Sequence, residues 1–425
     1  MSSVNPIAER PPLARARPRP VAVLLSRFPS VTETFILREV DEMERQGQGV
    51  RLVPMLKETP PVVHDAAKPW TDRALYTRYL SGPILAANLR ALLRRPVRYL
   101  SLLLRLILGT LAKPGTLVRT VAVFPKSVFL AEQLPREGIT HLHAHFATHP
   151  STMALIIASL SDITFSFTVH AHDIQVDRSL LRWKLRETRF IRSISAFNQR
   201  FLEELYPAEA RGKIVVVHVG IEPEKYEENA RREVQPGDVP AVLCVAAHRP
   251  YKGLPVLIEA CRILRDEGIV FRCDVLGHGP MREELEQLIR DRNLTEVVHL
   301  LGAKPEHVVA EMMVNATFFV LPSIIASDGQ MEGIPVALME AMASARAVIS
   351  TSISGIPELI DDGVSGFLVP PGDAQALAAA MRTLFTDPRR AAEMGRRGQQ
   401  KVRAEFTLPD CVAQLLTRLD AEAGQ

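Results

Sequence analysis

The stretch SDGQMEGIPVALMEAMASARAVI, residues 327–349, decides the fold. A polar, glycine-containing loop comes first. Pro335 then suits the first position of a helix, because its missing N–H needs no partner there. Apolar residues recur along the predicted helix, and 347–349 predicts a strand. A loop, helix and strand in this order are parts of an α/β fold.

Two glutamates mark this stretch as a candidate ligand site. Glu332 lies at the junction of loop and helix, and Glu340 lies about two turns further on. A carboxylate among apolar residues is costly to bury without a partner. A helix N-terminus after such a loop also attracts anions. One interpretation is a phosphate at the helix tip and a hydroxyl-bearing ligand on both carboxylates. The other is an amphipathic helix with one solvated glutamate, and these residues alone leave both open.

Length and composition limit the number of domains and the class of protein. A chain of 425 residues predicts two domains, and its net charge of +3 is ordinary. Residues 1–19 are rich in Pro and Arg without an apolar signal core, which predicts a disordered, non-secretory tail. The four cysteines lack metal-site or disulfide-framework spacing, which fits a reducing compartment. We therefore expect a cytoplasmic protein.

The chain predicts two consecutive α/β domains. Residues 20–225 open with strand, helix and strand, a βαβ unit that predicts a parallel sheet. Residues 226–240 are polar with Pro and Gly and predict the linker. A second series of strands and helices fills 241–404, and 405–425 predicts a final helix that packs back on the first domain. The predicted fold is two doubly wound, Rossmann-like domains facing across a cleft, with ligands at the carboxyl ends of the strands.

A basic helical insert, about 73–130, interrupts the first domain. It contains no Asp or Glu, while Pro96 and Pro114 break its amphipathic segments. Three interpretations are open: helices packed on the domain with solvated arginines, a surface on an anionic membrane through 84–126, or a nucleic-acid patch. Few aromatic residues are present for base stacking, so we expect no nucleic-acid partner.

Three further loops follow strands of the second domain. AAHRPYKG places Arg249 and Lys252 where two cations can clamp a diphosphate. LGHGP supplies Gly277 and Gly279, and SISGIPELI supplies Gly355 before a short helix. A lone G-x-G is a weak signal. Together with the Glu332 loop, however, the four loops predict a phosphate-bearing ligand.

Histidines mark the strand ends of the first domain. His145 ends an alternating run of three histidines on one strand, so these rings share a face. They fit either a metal site or packed, hydrogen-bonded side chains. TVHAHDI ends a buried strand with His170 and Asp173. The preferred prediction is that these two residues contact substrate in the cleft, and the alternative is a pair that closes the strand end.

These motifs resemble the retaining GT-B glycosyltransferases of family 4, which include sucrose-phosphate synthase-like and bacterial polysaccharide-assembly enzymes. The resemblance covers nearly all of 20–420. Its most specific part is Glu332-x7-Glu340 in MEGIPVALMEAMA, followed by PELIDDGVSGFLVPPGD. RFPSVTETFI, HLHAHFA and TVHAHDI resemble the branch that builds exopolysaccharide, colanic acid or lipopolysaccharide repeat units.

The resemblance implies a nucleotide-diphosphate sugar as donor and a glycan or lipid-linked oligosaccharide as acceptor. Glu340 would hold the ribose, and Glu332 would contact the transferred sugar and distal phosphate. Lys252 and an arginine would neutralise the diphosphate. Glu332 and His170 are the catalytic candidates. The remaining donor-site and cleft candidates are Gly277, Gly279, Gly333, Ile334, Pro335, Val336, Thr32, Glu33, Thr34, His145, Asp173 and Gly355.

The chain departs from the family pattern at the arginine. The usual position, five residues before Lys252, holds Ala247, so Arg249 is the nearest substitute. The resemblance further implies transfer with retention, no divalent metal and no cofactor, at the inner face of the plasma membrane. The alternatives are a nucleotide-sugar epimerase, a phosphorylase, or a non-catalytic membrane-associated scaffold on the same fold.

Overall fold

The computed structural model describes residues 19–29, 34–59, 67–227 and 239–423. Residues 1–18 of the predicted tail, two of the cleft candidates (Thr32 and Glu33) and most of the predicted linker lie outside these ranges. No helix within them is long and apolar enough to cross a membrane.

The first domain is a six-stranded parallel sheet of order β2-β1-β3-β4-β5-β6. Its strands are β1 (Val21–Phe28), β2 (Val50–Lys57), β3 (His141–His145), β4 (Thr164–Val169), β5 (Ile191–Ser193) and β6 (Ile214–Val216). Its helices are α1 (Thr34–Arg45), α2 (Lys68–Arg73), α3 (Gly82–Arg94), α4 (Pro96–Thr110), α5 (Pro114–Gln133), α6 (His149–Leu160), α7 (His172–Gln175), α8 (Leu181–Glu187), α9 (Ala196–Leu205), α10 (Pro207–Ala210) and α11 (Glu224–Glu227).

The second domain is another six-stranded parallel sheet, of order β12-β11-β10-β7-β8-β9. Its strands are β7 (Ala241–Val245), β8 (Arg272–Leu276), β9 (Val298–Gly302), β10 (Phe318–Leu321), β11 (Ala347–Thr351) and β12 (Phe367–Val369). Its helices are α12 (Leu254–Asp266), α13 (Arg282–Asp291), α14 (Glu306–Asn315), α15 (Val336–Ala343), α16 (Ile356–Leu359), α17 (Ala374–Thr386) and α18 (Pro388–Glu405). The final helix of the chain is α19 (Leu408–Ala423).

Both sheets are doubly wound, which confirms the predicted fold. Strand order reverses between β1 and β3 in the first sheet and between β7 and β10 in the second. Crevices for ligands form at such reversals, beyond the carboxyl ends of the strands. The loop after β7 carries Lys252 and the loop after β10 carries Glu332, so both lie at the reversal of the second sheet.

The basic insert folds as the three helices α3, α4 and α5. Helices α4 and α5 begin at Pro96 and Pro114, where the sequence predicts breaks. Helix α5 continues through Pro125, whose carbonyl accepts a hydrogen bond from the side chain of Asn88. The apolar sides of these helices pack on the domain through residues such as Leu102 and Leu106, which are at most 4% exposed.

Helix α19 lies against the first domain although it follows the second in sequence. Leu408, Val412 and Leu416 form one apolar cluster with Met43 of α1 and Phe190. Burial of such side chains contributes about 1.5–3 kcal/mol each. The chain therefore returns to the domain in which it began.

Candidate active site between the domains

One lysine and one glutamate of the second domain form an ion pair at the candidate site. The ammonium of Lys252 donates to the carboxylate of Glu332, and the two side chains are 13% and 15% exposed. Burial opposes the charge on Lys252, but the attraction of Glu332 raises its pKa above the usual value. The loop after β7 and the loop after β10 thus share one charged contact.

Glu340 lies on α15, the helix that follows the Glu332 loop, and contacts different residues. The hydroxyl of Tyr226 donates to its Oε1 at 2.7 Å, and Arg38 of the first domain lies 4.0 Å from the same oxygen. Arg38 also pairs with Glu306 at 2.5 Å. Burial raises the pKa of Glu340, although the Tyr226 hydrogen bond and Arg38 oppose this. Glu340, which is predicted to hold the ribose, is therefore a partly buried side chain that accepts from Tyr226 and lies near Arg38.

The helix after the Glu332 loop begins one residue later than predicted. Pro335 has φ −69° and ψ 125°, so it is the N-cap, and Val336 is the first helical residue. Extended backbone is favoured at an N-cap and is compatible with the fixed φ of proline. Ile334 is buried, which anchors the loop immediately before the helix.

Gly333 brings the second domain against the first. A Cβ at this position would lie 2.7 Å from the carbonyl oxygen of His170 and 3.0 Å from the side chain of Ile194. Any larger residue would therefore push the Glu332 loop away from His170. Gly355 makes a similar approach, because a Cβ there would meet Ile334 and Ser195.

A second contact between the domains involves the first turn of α9. The carboxylate of Glu358 accepts hydrogen bonds from the backbone N–H groups of Ala196 and Phe197, at 2.8 and 2.9 Å. The ring of His218 lies 3.3 Å from the same carboxylate. A carboxylate at a helix N-terminus is favourably placed. Glu358 thus ties α16 of the second domain to the first.

The loop that contains Gly277 and Gly279 packs against the loop that carries Arg249 and Lys252. Gly277 has φ +129°, and a Cβ there would lie 2.0 Å from the carbonyl oxygen of Ala246. A Cβ at Gly279 would lie 2.6 Å from the carbonyl oxygen of His248. These glycines therefore hold the loops after β7 and β8 together. Arg249, beside them, is exposed and has no hydrogen bond that would fix its guanidinium among the described residues.

The three histidines of β3 are mainly packed and hydrogen-bonded. His141 contacts the hydroxyls of Thr164 and Ser166, and His143 contacts Ser166 and Thr168, all at 2.7–2.8 Å. Both nitrogens of each ring are used in this way. Within the described ranges no cluster of three or more metal-binding side chains occurs. The structure thus favours the hydrogen-bonded interpretation over the metal site.

His170 and His145 contact each other at the strand ends. Nδ1 of His145 lies 3.4 Å from Nε2 of His170. His145 is buried, whereas His170 is partly exposed at the cleft between the rings of Phe35 and Phe146. Burial lowers the pKa of both histidines, that of His145 to about 3. Both rings are therefore neutral near pH 7.

Asp173 does not face the cleft, contrary to the preferred prediction. Its carboxylate accepts hydrogen bonds from the backbone N–H groups of Ala147, His170 and Ala171 at 2.7–3.0 Å. Burial nevertheless raises its pKa. Asp173 therefore closes the ends of β3 and β4 and fixes the backbone of His170.

The structure brings most of the predicted site together and adds residues that the motifs did not indicate. Lys252 pairs with Glu332, and the next residue, Gly333, packs against the backbone of His170 across the cleft. Thr34 begins α1, immediately before Phe35. The residues missed were Arg38, Glu39, Tyr226 and Glu358. Their partners are far away in sequence, so local spacing carries no signal for them.

Comparisons with known proteins identify the family and the fold of this chain. Residues 225–401 match the family described as glycosyl transferases group 1. WcaL of Escherichia coli K12, named as a colanic acid biosynthesis glycosyltransferase, is 32% identical over 413 residues, covering 91% of this chain and 96% of WcaL. AmsK of Erwinia amylovora, an amylovoran biosynthesis glycosyltransferase, is 45% identical over 201 residues, which are 47% of this chain and 48% of AmsK. That second match spans about half the length of AmsK.

A solved structure shares the architecture. HepE from Anabaena, crystallised in complex with UDP, superposes with a TM-score of 0.68 over 95% of this chain and 100% of HepE, at 16% identity. At this identity the likeness concerns the fold alone. The full-length match to WcaL and the match to the family profile carry the assignment: the chain belongs to the group 1 glycosyltransferases and has their GT-B fold.

Proposed function

We propose that this chain is a retaining, hexosyl-type glycosyltransferase that moves a sugar from a nucleotide-diphosphate sugar to a glycan or lipid-linked oligosaccharide during assembly of a bacterial surface polysaccharide. The observation that carries the proposal is the Lys252–Glu332 pair, with Glu340 in the helix behind it. The names of WcaL and AmsK support the pathway, and the UDP bound to HepE supports the class of donor.

The site supplies a cation for the leaving group and acceptors for hydroxyls. Lys252, with Arg249 nearby, would stabilise the departing diphosphate, assisted by the N–H groups at the start of α15. The carboxylate of Glu332, released from Lys252, would accept from hydroxyls of the donor sugar. Glu340 would accept from the ribose hydroxyls in place of Tyr226. We propose that these groups suffice without a divalent metal or a cofactor.

The proposed chemistry exchanges one bond at the anomeric carbon. The bond from that carbon to the phosphate oxygen breaks, and a bond to the acceptor oxygen forms on the same face. The acceptor's proton passes to the leaving phosphate. No second carboxylate is required as a nucleophile, in contrast to retaining glycosidases, which use two at about 5–5.5 Å.

The basic insert is proposed to rest on an anionic membrane, so that the enzyme is cytoplasmic and peripheral. Ten large apolar side chains from Leu85 to Val121 are 42–80% exposed, nine of them on α3, α4 and α5 and one, Leu111, at the C-terminal cap of α4. This apolar stripe is larger than scattered surface residues would give. Arg98 and Arg105 lie on the flank of the stripe and line a cavity of about 350 Å³ with Arg189. Apolar residues beside arginines suit the boundary between headgroups and acyl chains.

The test is a screen of UDP-, GDP- and ADP-sugars for thermal stabilisation, followed by transfer assays on lipid-linked acceptors with the best donor. We expect stabilisation by at least one nucleotide sugar, transfer with the anomeric configuration of the donor, and activity in excess EDTA. An inverted product excludes retention. Conversion of the donor to an epimer without any acceptor favours the epimerase, and no binding of any nucleotide sugar favours the scaffold.

A further inference from the structure

A cavity of about 350 Å³ lies between α4, α6, α8 and the start of β4. Its inner lining is apolar and includes the buried side chains of Leu102 on α4 and Leu155 on α6. Its outer lining contains three exposed arginines, which are Arg98, Arg105 and Arg189. We call this space, with its three arginines, the arginine cavity.

The positive charge of the arginine cavity is not neutralised by the protein. None of the three guanidinium groups has an ion pair or a side-chain hydrogen bond with another described residue, and Arg105 stacks on Trp183 with its Cζ 4.8 Å from the ring centroid. Among the described residues that line the cavity, Glu187 alone is acidic, and its charge also acts on Lys213. Three arginines and one glutamate leave two positive charges in excess.

The arginine cavity is separate from the proposed donor site. It borders Thr164, the first residue of β4, whereas the cleft lies beyond Val169, the last residue of that strand. The strand between these two residues spans about 17 Å. A small ligand in the cavity therefore does not reach Lys252 or Glu332.

The arginine cavity opens beside the apolar stripe. Val97, Leu100 and Leu104 of α4 belong to the exposed stripe, while Arg98 and Arg105 of the same helix are seven residues apart and share another face. At about 100° per residue, that face lies roughly a third of a turn from the stripe. Acyl chains in contact with the stripe would thus place lipid headgroups at the mouth of the cavity. Trp183, in the cavity lining, is a residue type common at this depth of a membrane.

We propose that the arginine cavity binds the phosphate of a membrane lipid headgroup with more than one negative charge, a phosphate monoester or a diphosphate. Guanidinium groups match phosphate oxygens in pairs. A phosphate monoester carries about −1.5 to −2 near pH 7, which balances the two excess positive charges, whereas a phosphodiester carries only one. The cavity is at the small end for ligand sites, which suits a headgroup. The inference deepens, and rests on, the membrane association proposed above.

Two sets of vesicles separate recognition of the headgroup from general attraction to an anionic surface. One set contains phosphatidic acid, a monoester, and the other contains twice as much phosphatidylglycerol, a diester, so that the surface charges are about equal. We expect the full chain to bind the phosphatidic acid vesicles about tenfold or more tightly, as hydrogen bonds to a charged group allow. Equal binding to both sets overturns this inference and leaves the membrane association in place.

The vesicle assay needs no nucleotide sugar, so its result is independent of the transferase activity. No binding to either set of vesicles overturns the membrane association, and the headgroup site with it. The screen for donors and the transfer assays still decide the rest of the proposed function.

Arg189→Gln tests the one arginine of the cavity that lies outside the basic insert. Its matched control is Arg119→Gln, at an exposed arginine of α5 that does not line the cavity. General attraction predicts similar losses, up to about fivefold, for both variants on both lipids. We expect Arg189→Gln to lose about tenfold on phosphatidic acid and no more than the control on phosphatidylglycerol. An equal preference for phosphatidic acid in both variants overturns the proposal.

Trp183 reports on the inside of the cavity. The chain has two tryptophans, and Trp70 is only 2% exposed, so a change in emission on adding vesicles comes mainly from Trp183. We expect phosphatidic acid vesicles to change the emission of wild type, to change that of Arg189→Gln less, and to leave that of Trp183→Phe unchanged. An equal change in Trp183→Phe and wild type overturns occupancy of the cavity.

Glycerol 3-phosphate in excess distinguishes a lipid from a soluble phosphate ester. It carries the same phosphate monoester as phosphatidic acid but has no acyl chains to rest on the stripe. We expect it to leave the protein on the vesicles. Displacement of the protein, with the same change in Trp183 emission, would assign the cavity to a soluble phosphate ester and overturn its assignment to a lipid.

Discussion

The ammonium of Lys252 and the carboxylate of Glu332 neutralise each other in a site where neither side chain is more than 15% exposed. Each group is thereby held for a ligand that offers the complementary partner: a diphosphate for the lysine and sugar hydroxyls for the glutamate. A donor that brings both can divide this ion pair without leaving a buried charge unpaired, whereas removal of either side chain does leave one.

Lys252→Ala should therefore weaken binding of the nucleotide-diphosphate sugar by about 10- to 100-fold, the usual range for losing a hydrogen bond to a charged group. Isothermal titration with the donor from the screen measures this. Lys304→Ala, at an exposed lysine of the same domain, is the matched control and should bind as wild type. Equal affinities in the two variants would remove Lys252 from the donor site.

Glu340→Gln should separate stability from binding. Burial raises the pKa of Glu340 above its unfolded value, so its contribution to the free energy of unfolding is full at acid pH and is lost as pH rises through the folded pKa. The glutamine has no such loss. We expect the variant to be at least as stable as wild type at pH 7 in urea titrations, with a flatter dependence of stability on pH above about 4.5.

The same variant should bind nucleotide about 10- to 100-fold more weakly, because a neutral amide is a poorer acceptor for ribose hydroxyls than a carboxylate. Tyr226→Phe serves as its control, since it removes the hydroxyl that occupies Glu340 and leaves the carboxylate in place. That variant should bind at least as tightly as wild type. Weaker binding by Tyr226→Phe would mean that the tyrosine contacts the ligand itself.

Glu358→Ala should loosen the closed arrangement of the domains. The carboxylate joins α16 to the N-terminus of α9 and to His218. Small-angle scattering should show a larger radius of gyration for this variant than for wild type. Glu284→Ala, at an exposed glutamate, is the control. A radius unchanged in both would show that other contacts, such as Gly333 on His170, suffice to close the cleft.

Acidification should act on the same contact. Burial opposes the charge of Glu358, but hydrogen bonds from His218 and the α9 backbone outweigh it and lower the pKa. Its stabilising contribution is thus complete above the ordinary glutamate pKa and is lost as pH falls through the lowered value. The difference in radius between wild type and Glu358→Ala should disappear at that acidic limit.

Replacing Leu93, Val97, Leu100 and Leu104 by Gln should reduce binding to vesicles that contain phosphatidylglycerol. Each buried CH₂ contributes about 0.8 kcal/mol to membrane binding, so four side chains should lower it well over tenfold. The matched control replaces Val270, Leu301, Ile325 and Val364 of the second domain, which are also exposed. Equal loss in both sets would indicate general hydrophobicity rather than a defined face.

Replacing the arginines beside the apolar stripe should change vesicle binding in a salt-dependent way. Arg94, Arg95, Arg98 and Arg105 changed together to Gln should weaken binding most at low salt, because screening already suppresses exposed charges at high salt. Arg90 is left in place because it pairs with Glu132 and helps to hold α3 on α5. Binding to vesicles without anionic lipid should change little.

The elements of the fold were predictable because their signals are local. The strand predicted at 347–349 is part of β11 (Ala347–Thr351), and the proline breaks before α4 and α5 fall where expected. Hydrophobic periodicity and proline act over a few residues. Helix α5 nevertheless passes through Pro125, because packing on the domain outweighs the lost hydrogen bond.

The site was predictable only where residues follow strands. Lys252 and Glu332 meet because parallel strands of the second sheet end at a common edge, and His170 follows a strand of the first sheet and contacts the neighbouring Gly333 across the cleft. Asp173 also follows a strand, but its carboxylate accepts hydrogen bonds from the backbone and does not face the cleft. The periodicity of the sequence does not distinguish a side chain that faces the cleft from one that binds the backbone. Arg38 and Glu39 lie on α1, which has the sequence pattern of an ordinary amphipathic helix. Their partners, Glu306 and Arg192, lie more than a hundred residues away in the sequence.

The position of α19 determines how the protein could be divided into parts. Cutting the chain in the linker would yield a first half whose Met43 and Phe190 lose the apolar cover that Leu408, Val412 and Leu416 provide. Two fragments expressed separately should therefore aggregate or stay incomplete. The same fragments expressed together could reassemble, because the sixteen-residue helix α19 would join them. Fusing that helix directly to the end of the first half, in place of the second domain, should give a first domain that can be studied alone.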